Sequence, residues 1–455
     1  MWRTLLYREV YDSFTSLTFL SAFALLTLLV PLSAYTQGRY YRSVLADYQL
    51  RQQLRESENA RTTTVITRPI PALLPFFNGI HDSLPNEIAL NINSALRTPS
   101  SEDLNVLDWL FPRTDLSLII GVLLTLMAVL FGHDAITQER EQGTLQFILS
   151  GPVARRSMLL VKLAGVTLIM ALCLVYTLSL YLAIIITAAE GALSFSSLPS
   201  GNLFTFVVVS FLTLVVFGAL GITVSTLVKS SSKALGISMG IWVVLVVIWP
   251  SFGSYISSMV WPVAPRQIAE REWMQKEGEL INEEIAAQTR TAKTLEAQGA
   301  SVETAWQKHL ELRREWLLRR RDEVGRMTAD RREQINRQQQ TARWLCVVSP
   351  YAAFKESLAT ICGTGFADYN AFLDFVDRFD QEAFIPAMFD SFYKAKPWVE
   401  GKVNENPPQF PAVQVPAFTF GERLKGLVLP VSLILLEIIM LIAVSLIKFE
   451  TYDVR

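Results

Sequence analysis

The sequence predicts an all-α polytopic membrane protein: six transmembrane helices, both termini in the cytoplasm, and a long extracytoplasmic helical hairpin. Three observations predict it. Of 455 residues, 51% are hydrophobic and 18% charged, and the mean hydropathy of +0.30 is too high for an ordinary soluble domain. Six apolar runs approach or reach the roughly 17–25 residues needed to cross about 30 Å of hydrocarbon. Finally, two long charged stretches late in the chain carry apolar residues at helical spacing. The net charge of −1 and pI near 6.4 lack the basic excess of a nucleic-acid surface, so that class of partner is excluded.

Residues 1–15 alternate apolar side chains with Arg3, Arg8, Glu9 and Asp12, as an interfacial cytoplasmic helix does. The first span covers 16–34. The following "PLSAYTQ" also offers the small residues of a signal-peptide cleavage site, but the long, mixed-charge lead-in favours an uncleaved anchor. Residues 35–115 form a first extracytoplasmic region: a helical pattern, then "TRPIPALLPFFNGI", where closely spaced prolines argue for extended chain. The second span is 116–132, the third 158–189, the fourth 203–228, the fifth 234–260 and the sixth 426–447, with a cytoplasmic tail at 448–455.

Orientation follows from lysine and arginine near the ends of short loops. Arg3 and Arg8 precede the first span; Arg140, Arg155, Arg156 and Lys162 lie between the second and third; Lys229 and Lys233 lie between the fourth and fifth; Lys448 and Arg455 follow the sixth. All fall on one side of a six-span chain, whereas the loop from Glu190 to Asn202 carries neither residue. Residues 133–157 are therefore a cytoplasmic loop.

The second extracytoplasmic region, 261–425, begins with two Glu-, Gln-, Arg- and Ala-rich helical stretches broken at "EAQGAS", where Ser301 is a suitable N-cap. Trp306, Leu310, Leu317, Val324 and Met327 form a narrow apolar stripe of coiled-coil type, and Ile281, Ile285, Ala292 and Leu295 are expected to face it. An antiparallel hairpin follows, with "ELRREWLLRRRDE" on its solvated face and a reach on the order of 50 Å from the membrane. A Pro-rich segment, "NPPQFPAVQVPAF", returns the chain to the last span.

ATP hydrolysis by this chain would need a Gly-rich loop ending in Gly-Lys-Ser/Thr. "EGKV" at Glu400–Val403 lacks the upstream glycine and the hydroxyl, and "LSG" at Leu149–Gly151 runs into Pro-Val beside a span. The three histidines, His81, His133 and His309, have no metal-ligand spacing. No nucleophile, base and orienter can be nominated, so the chain is not expected to be an enzyme by itself, nor to bind a metal or cofactor. Cys173 reads as an apolar packing residue, while Cys346 and Cys362 share the oxidising side and are either a disulfide or two buried thiols. Glu437 lies near the middle of the sixth span, where an ionised side chain is costly; it is a gate or substrate-path residue, or a protonated packing contact.

The most charged and punctuated short segment is "HDAITQEREQGTLQFILSGPVARRS". With the start of the next span it resembles the cytoplasmic loop of ABC-2-type transporter permeases, through Asp134, Glu139, Arg140, Glu141, Gly143, Thr144, Leu145, Pro152, Arg155 or Arg156, and Lys162. The six spans and "LYREVYDSFTSLTF" are similar to that family too. "VVSPYAAFKESLATICGTGFADYNAF" is similar to a subgroup with a large extracytoplasmic insertion between the last two spans. The resemblance implies a type-V-exporter-like fold in which this loop contacts an ABC ATPase subunit, with ATP and Mg bound by that partner. Asp134, Glu139, Arg140, Glu141, Gly143 and Thr144 are then the ATPase-coupling residues. It also implies a second permease copy or related permease, membrane lipid around the bundle, and a bacterial inner membrane. Locally, Asp134 can begin a short helix, Gly143 can end it in a left-handed cap, Thr144 can cap the next, and Gly151-Pro152 can turn the chain. Three functions remain: a permease of an ATP-driven exporter, a mechanotransmission subunit driving a periplasmic accessory protein through the hairpin, and a membrane scaffold or receptor.

Overall fold

Helix boundaries fall where polar residues interrupt the apolar runs, with one exception at the first span. The computed structural model describes residues 2–57, 63–91, 98–99, 114–145, 147, 154–394 and 415–451. After α1 (Trp2–Phe14) the chain turns at Ser16, whose Oγ accepts the Phe19 amide at 3.1 Å and donates to the Ser13 carbonyl at 2.8 Å. The exception is α2 (Leu17–Ser57), in which the apolar span and the polar stretch beyond it are one helix of 41 residues, about 60 Å long. Pro31 lies inside it.

The other spans are α3 (116–132), α5 (Arg155–Ala188), α6 (Ser200–Leu227), α7 (231–260) and α13 (Phe420–Glu450), and the short helix α4 (Thr137–Glu141) follows α3. Among the described residues, six helices are long and apolar enough to cross a membrane. α3 contains a π-helical turn at Ile119–Leu124 and α7 another at Val244–Ile248. α3 and α6 cross on bare backbone: a Cβ on Gly132 would lie 2.7 Å from the Gly218 carbonyl oxygen, and one on Gly221 2.7 Å from that of Val129. Small residues at such crossings let two backbones approach, the main source of helix association in lipid. α2 and α5 pack along their length, with the Thr27 and Tyr176 hydroxyls 3.1 Å apart. α6 meets α13 where the Thr223 and Ser445 hydroxyls lie 2.8 Å apart.

Outside the membrane the two regions share one core. The first carries a small antiparallel sheet, an exception to the all-α expectation: β1 (Thr63–Thr67) pairs with β2 (Glu87–Asn91), Val65 opposite Ala89, and β2 pairs with β3 (Thr98–Pro99). The hairpin is α8 (Arg266–Ala297) and α9 (Val302–Cys346); Gly299 turns it at φ +66° and Ser301 accepts the Thr304 amide at 3.2 Å. Beyond it come α10 (Pro350–Cys362), α11 (Phe366–Phe379) and α12 (Ile385–Lys394). Ile66, Ile88 and Leu90 of the sheet bury against Leu317 of α9 and Phe372, Val376 and Phe384 of the following helices. The hairpin is thus braced at Leu317, Arg321 and Arg332 of α9 by the sheet and by the helical segments that follow.

One expectation needs correction. The α9 stripe is buried at Leu310, Leu317 and Val324, but α8 turns Leu280, Glu277 and Glu284 inward and leaves Ile285 56% exposed. Pairing explains the exchange, because Arg320 of α9 bridges Glu284 at 3.4 Å between almost fully buried side chains. Of the two alternatives left open for Cys346 and Cys362, the structure has the free thiols. Cys346 donates to the Pro250 carbonyl at 3.4 Å where α9 meets α7, and Cys362 is buried in the core of the bundle. "EGKV", most of the Pro-rich return and Gly151-Pro152 lie outside the described residues.

Candidate coupling site

Arg140, Arg155, Arg156 and Lys162 gather with α4 and the end of α13 at one end of the bundle. Gly143 ends α4 at φ +69°, a left-handed conformation that glycine adopts without strain. Thr144 Oγ1 donates to the Glu139 carbonyl at 3.2 Å. The start of α4 is capped from outside. Ser225 Oγ of α6 accepts the Ile136 and Thr137 amides at 3.0 and 3.1 Å, while Asp134 contributes its carbonyl to Gln138 at 3.0 Å.

The three charged residues at the heart of the motif all reach into the bundle. Glu139 binds Lys162 of α5 at 2.8 Å, and Lys162, only 5% exposed, also binds Glu9 of α1 at 2.7 Å. Arg140 donates to the Val228 carbonyl at the end of α6 at 3.0 Å. Glu141 accepts the Ser231 amide at 2.9 Å, capping the first turn of α7. A five-residue helix is thereby tied to α5, α6 and α7, and through Lys162 to α1. Its outward surface consists of other residues: Gln138, Gln142 and Gly143 are exposed, as is part of Glu141, and Phe147 beyond is 81% exposed.

Sequence reasoning found the segment but missed the partners Glu9, Lys162 as their shared cation, and the cap Ser225. A lysine among apolar residues at the mouth of a span was the available clue, since such a charge stays only if paired. Glu437 stands apart, half-buried in α13, with its Oε2 buried and without a hydrogen-bond partner among the described residues. Among those residues no group of three or more His, Cys, Asp or Glu is placed to hold a metal.

At the opposite end lies a cleft of about 1860 Å³. One wall is the outer part of α2, including Tyr40, Asp47 and Arg51; the other is the foot of α9, including Asn336, Gln340 and Arg343. Much of its charge is compensated: Arg51 bridges Asp47 at 2.7 Å and Glu87 at 2.8 Å, and Arg343 bridges Glu356 at 2.9 Å. In the floor, burial alone would raise the Asp82 carboxyl, but hydrogen bonds from His81, Tyr40 and Asn78 hold it below its usual value. Burial pushes the neighbouring His81 imidazole down, with Arg68 adding to the shift.

A family model described as "ABC-2 family transporter protein" matches residues 3–454. The chain is also similar to the probable ABC transporter permease protein NosY of Stutzerimonas stutzeri, 32% identical over 130 residues. That match covers 28% of this chain and 45% of the relative, so the chain spans about half the length of the curated relative.

Proposed function

Because the chain belongs to the ABC-2 family of transporter proteins, we propose that it is the permease subunit of an ATP-driven transporter in the bacterial inner membrane. It takes up the work of separate ATPase subunits at α4 and moves substrate outward. The observation that carries this reading is that α5, α6 and α7 converge on α4, with α1 joined through Lys162. A push on this helix is applied to the whole bundle, which is what a coupling element requires. A second bundle, from another copy or a related permease, is the natural cover for α7 and α13, whose apolar side chains are largely exposed.

The inward set of Glu139 and Arg140 divides the motif. We assign the ATPase contact to the outward residues Gln138 and Phe147, and the internal linkage to Glu139, Arg140 and Glu141. An exposed phenylalanine beside polar groups is a suitable interface anchor. Phe147→Asp should sharply reduce copurification of the ATPase. Glu139→Gln should keep the ATPase bound but lower stimulation of its hydrolysis. Equal retention in both variants would overturn the assignment.

A second reading, mechanotransmission to a periplasmic accessory protein, is favoured by one observation: α2 runs without a break from the cytoplasmic corner into the outer domain. Deleting 266–341 separates the two. Loss of partner binding with transport intact supports mechanotransmission, whereas loss of transport supports export.

A further inference from the structure

Lys162 joins three helices: its own α5, the short α4 that precedes it, and α1, far back in the chain. It lies on α5, close to its cytoplasmic start, and its ammonium touches Glu9 of α1 at 2.7 Å and Glu139 of α4 at 2.8 Å. An ammonium has three donors and can hold two carboxylates at once. At 5% exposure the charge is retained only because both are present. Gly165, one turn further along α5, lets α1 come close: a Cβ there would lie 3.3 Å from the Glu9 Cβ.

From α1 the connection continues into α2. The corner at Thr15–Ser16 is short, hydrogen-bonded and walled by Phe14 and Phe19, whose rings meet edge-on at 4.6 Å; Phe19 in turn contacts Phe131 of α3 at 6.1 Å. α2 is held to α5 a second time near the outer surface, where a Cβ on Gly38 would lie 2.7 Å from the Ala188 Cβ. α2 is thus packed on α5 from Phe23 and Thr27, beside Tyr176, to Gly38, beside Ala188, a contact that lets the two helices move as one body. Its weakest point is Pro31, which has no amide to give the Thr27 carbonyl. Beyond this contact α2 projects into the outer domain and forms one wall of the cleft, facing the foot of α9.

We propose that Lys162 is a positioning residue that passes displacement of α4 to α1 and, through α2, to the outer cleft, so that the width of the cleft follows the ATPase cycle. This rests on the reading of α4 as the place where ATPase motion enters. Rigid-body movement of a packed helix pair is a common form of such transmission.

The test uses the full chain purified with its ATPase and reconstituted in lipid, in a Cys346→Ser background. Spin labels at Leu50→Cys and Gln340→Cys report the cleft, and labels at Tyr11→Cys and Gln142→Cys report the α1–α4 contact. Adding ATP with vanadate should shift the cleft distance while the α1–α4 distance stays fixed. In Lys162→Met the α1–α4 distance should broaden and the cleft shift should vanish; Lys162→Arg, which can still hold both carboxylates, should restore it. A merely structural lysine would lower the folded yield of Lys162→Met yet leave the cleft shift intact in the folded fraction, and that result overturns the inference alone. A wild-type complex in which ATP leaves the cleft distance unchanged also overturns the inference alone, whereas a wild-type chain that neither binds the ATPase through α4 nor stimulates its hydrolysis defeats the coupling reading, and this inference with it.

Discussion

The two charge-rich regions, α4 and the hairpin, use the same chemistry to different ends. Both carry acids and arginines that a sequence would place in solvent, and both turn some of them inward. In the hairpin, Arg320 meets Glu284 across the helix pair, and Arg321 reaches Asp380 and the Asn91 carbonyl in the domain packed alongside. Those contacts fasten one extracytoplasmic unit to itself. At α4, Glu139, Arg140 and Glu141 each reach a different membrane helix or its end. The difference teaches that a buried ion pair acts as a rivet when its partners belong to one rigid unit, and as a linkage when they belong to elements that can move apart.

The largest effect should separate these roles. Lys162→Met leaves Glu9 and Glu139 facing one another without their shared cation, and Arg321→Met removes the buried bridge to Asp380; removing one partner of a buried pair costs about 3–5 kcal/mol. Thermal unfolding in lipid nanodiscs should show both losses. ATPase stimulation should fall only in Lys162→Met, measured on the folded fraction. If Arg321→Met abolished stimulation as well, the distinction between rivet and linkage would be lost.

A smaller effect should appear on acidification, and only at the outer end. His81 and Asp82 both have folded-state pKa values below their unfolded ones, so each contributes stability that is present above its unfolded pKa and lost as pH falls. For His81 the loss begins below about 6.5, and for Asp82 below about 3.9. Stability measured from pH 7 to pH 5 should therefore decline through His81, and His81→Gln should flatten that limb of the curve. An unchanged slope in the variant would show that the acid response originates elsewhere.

How much of this was legible in the sequence depends on how far away each partner lies. The six spans, the hairpin with its Ser301 cap and the α9 stripe are properties of short windows, and periodicity reads them directly. The merging of the first span with the polar helix after it was hidden because hydropathy marks where lipid ends, while a helix ends only where its hydrogen bonding does. The α8 face was misjudged for a related reason: Ile285 is the more apolar choice, but Glu284 has Arg320 opposite, and that pairing is non-local. The charged segment after the second span was singled out by its residue types, yet the direction of Glu139 is set by Lys162 on the next helix and by Glu9, far back in the chain.

The smallest predicted effects come from two serines that do the same local job. Ser301→Ala removes a cap supplied from within its own helix start and should cost about 1 kcal/mol. It should appear as faster amide exchange over Val302–Ala305, with ATPase stimulation unchanged. Ser225→Ala removes a cap of similar worth, but one supplied to α4 by α6, through two amides at once. Its stability cost should be comparable, about 1–2 kcal/mol, while its effect on stimulation should be far larger, because the bond that caps the helix also joins it to the span that must move with it. Equal effects on stimulation from the two serines would mean that α4 is held by Lys162, Arg140 and Glu141 alone.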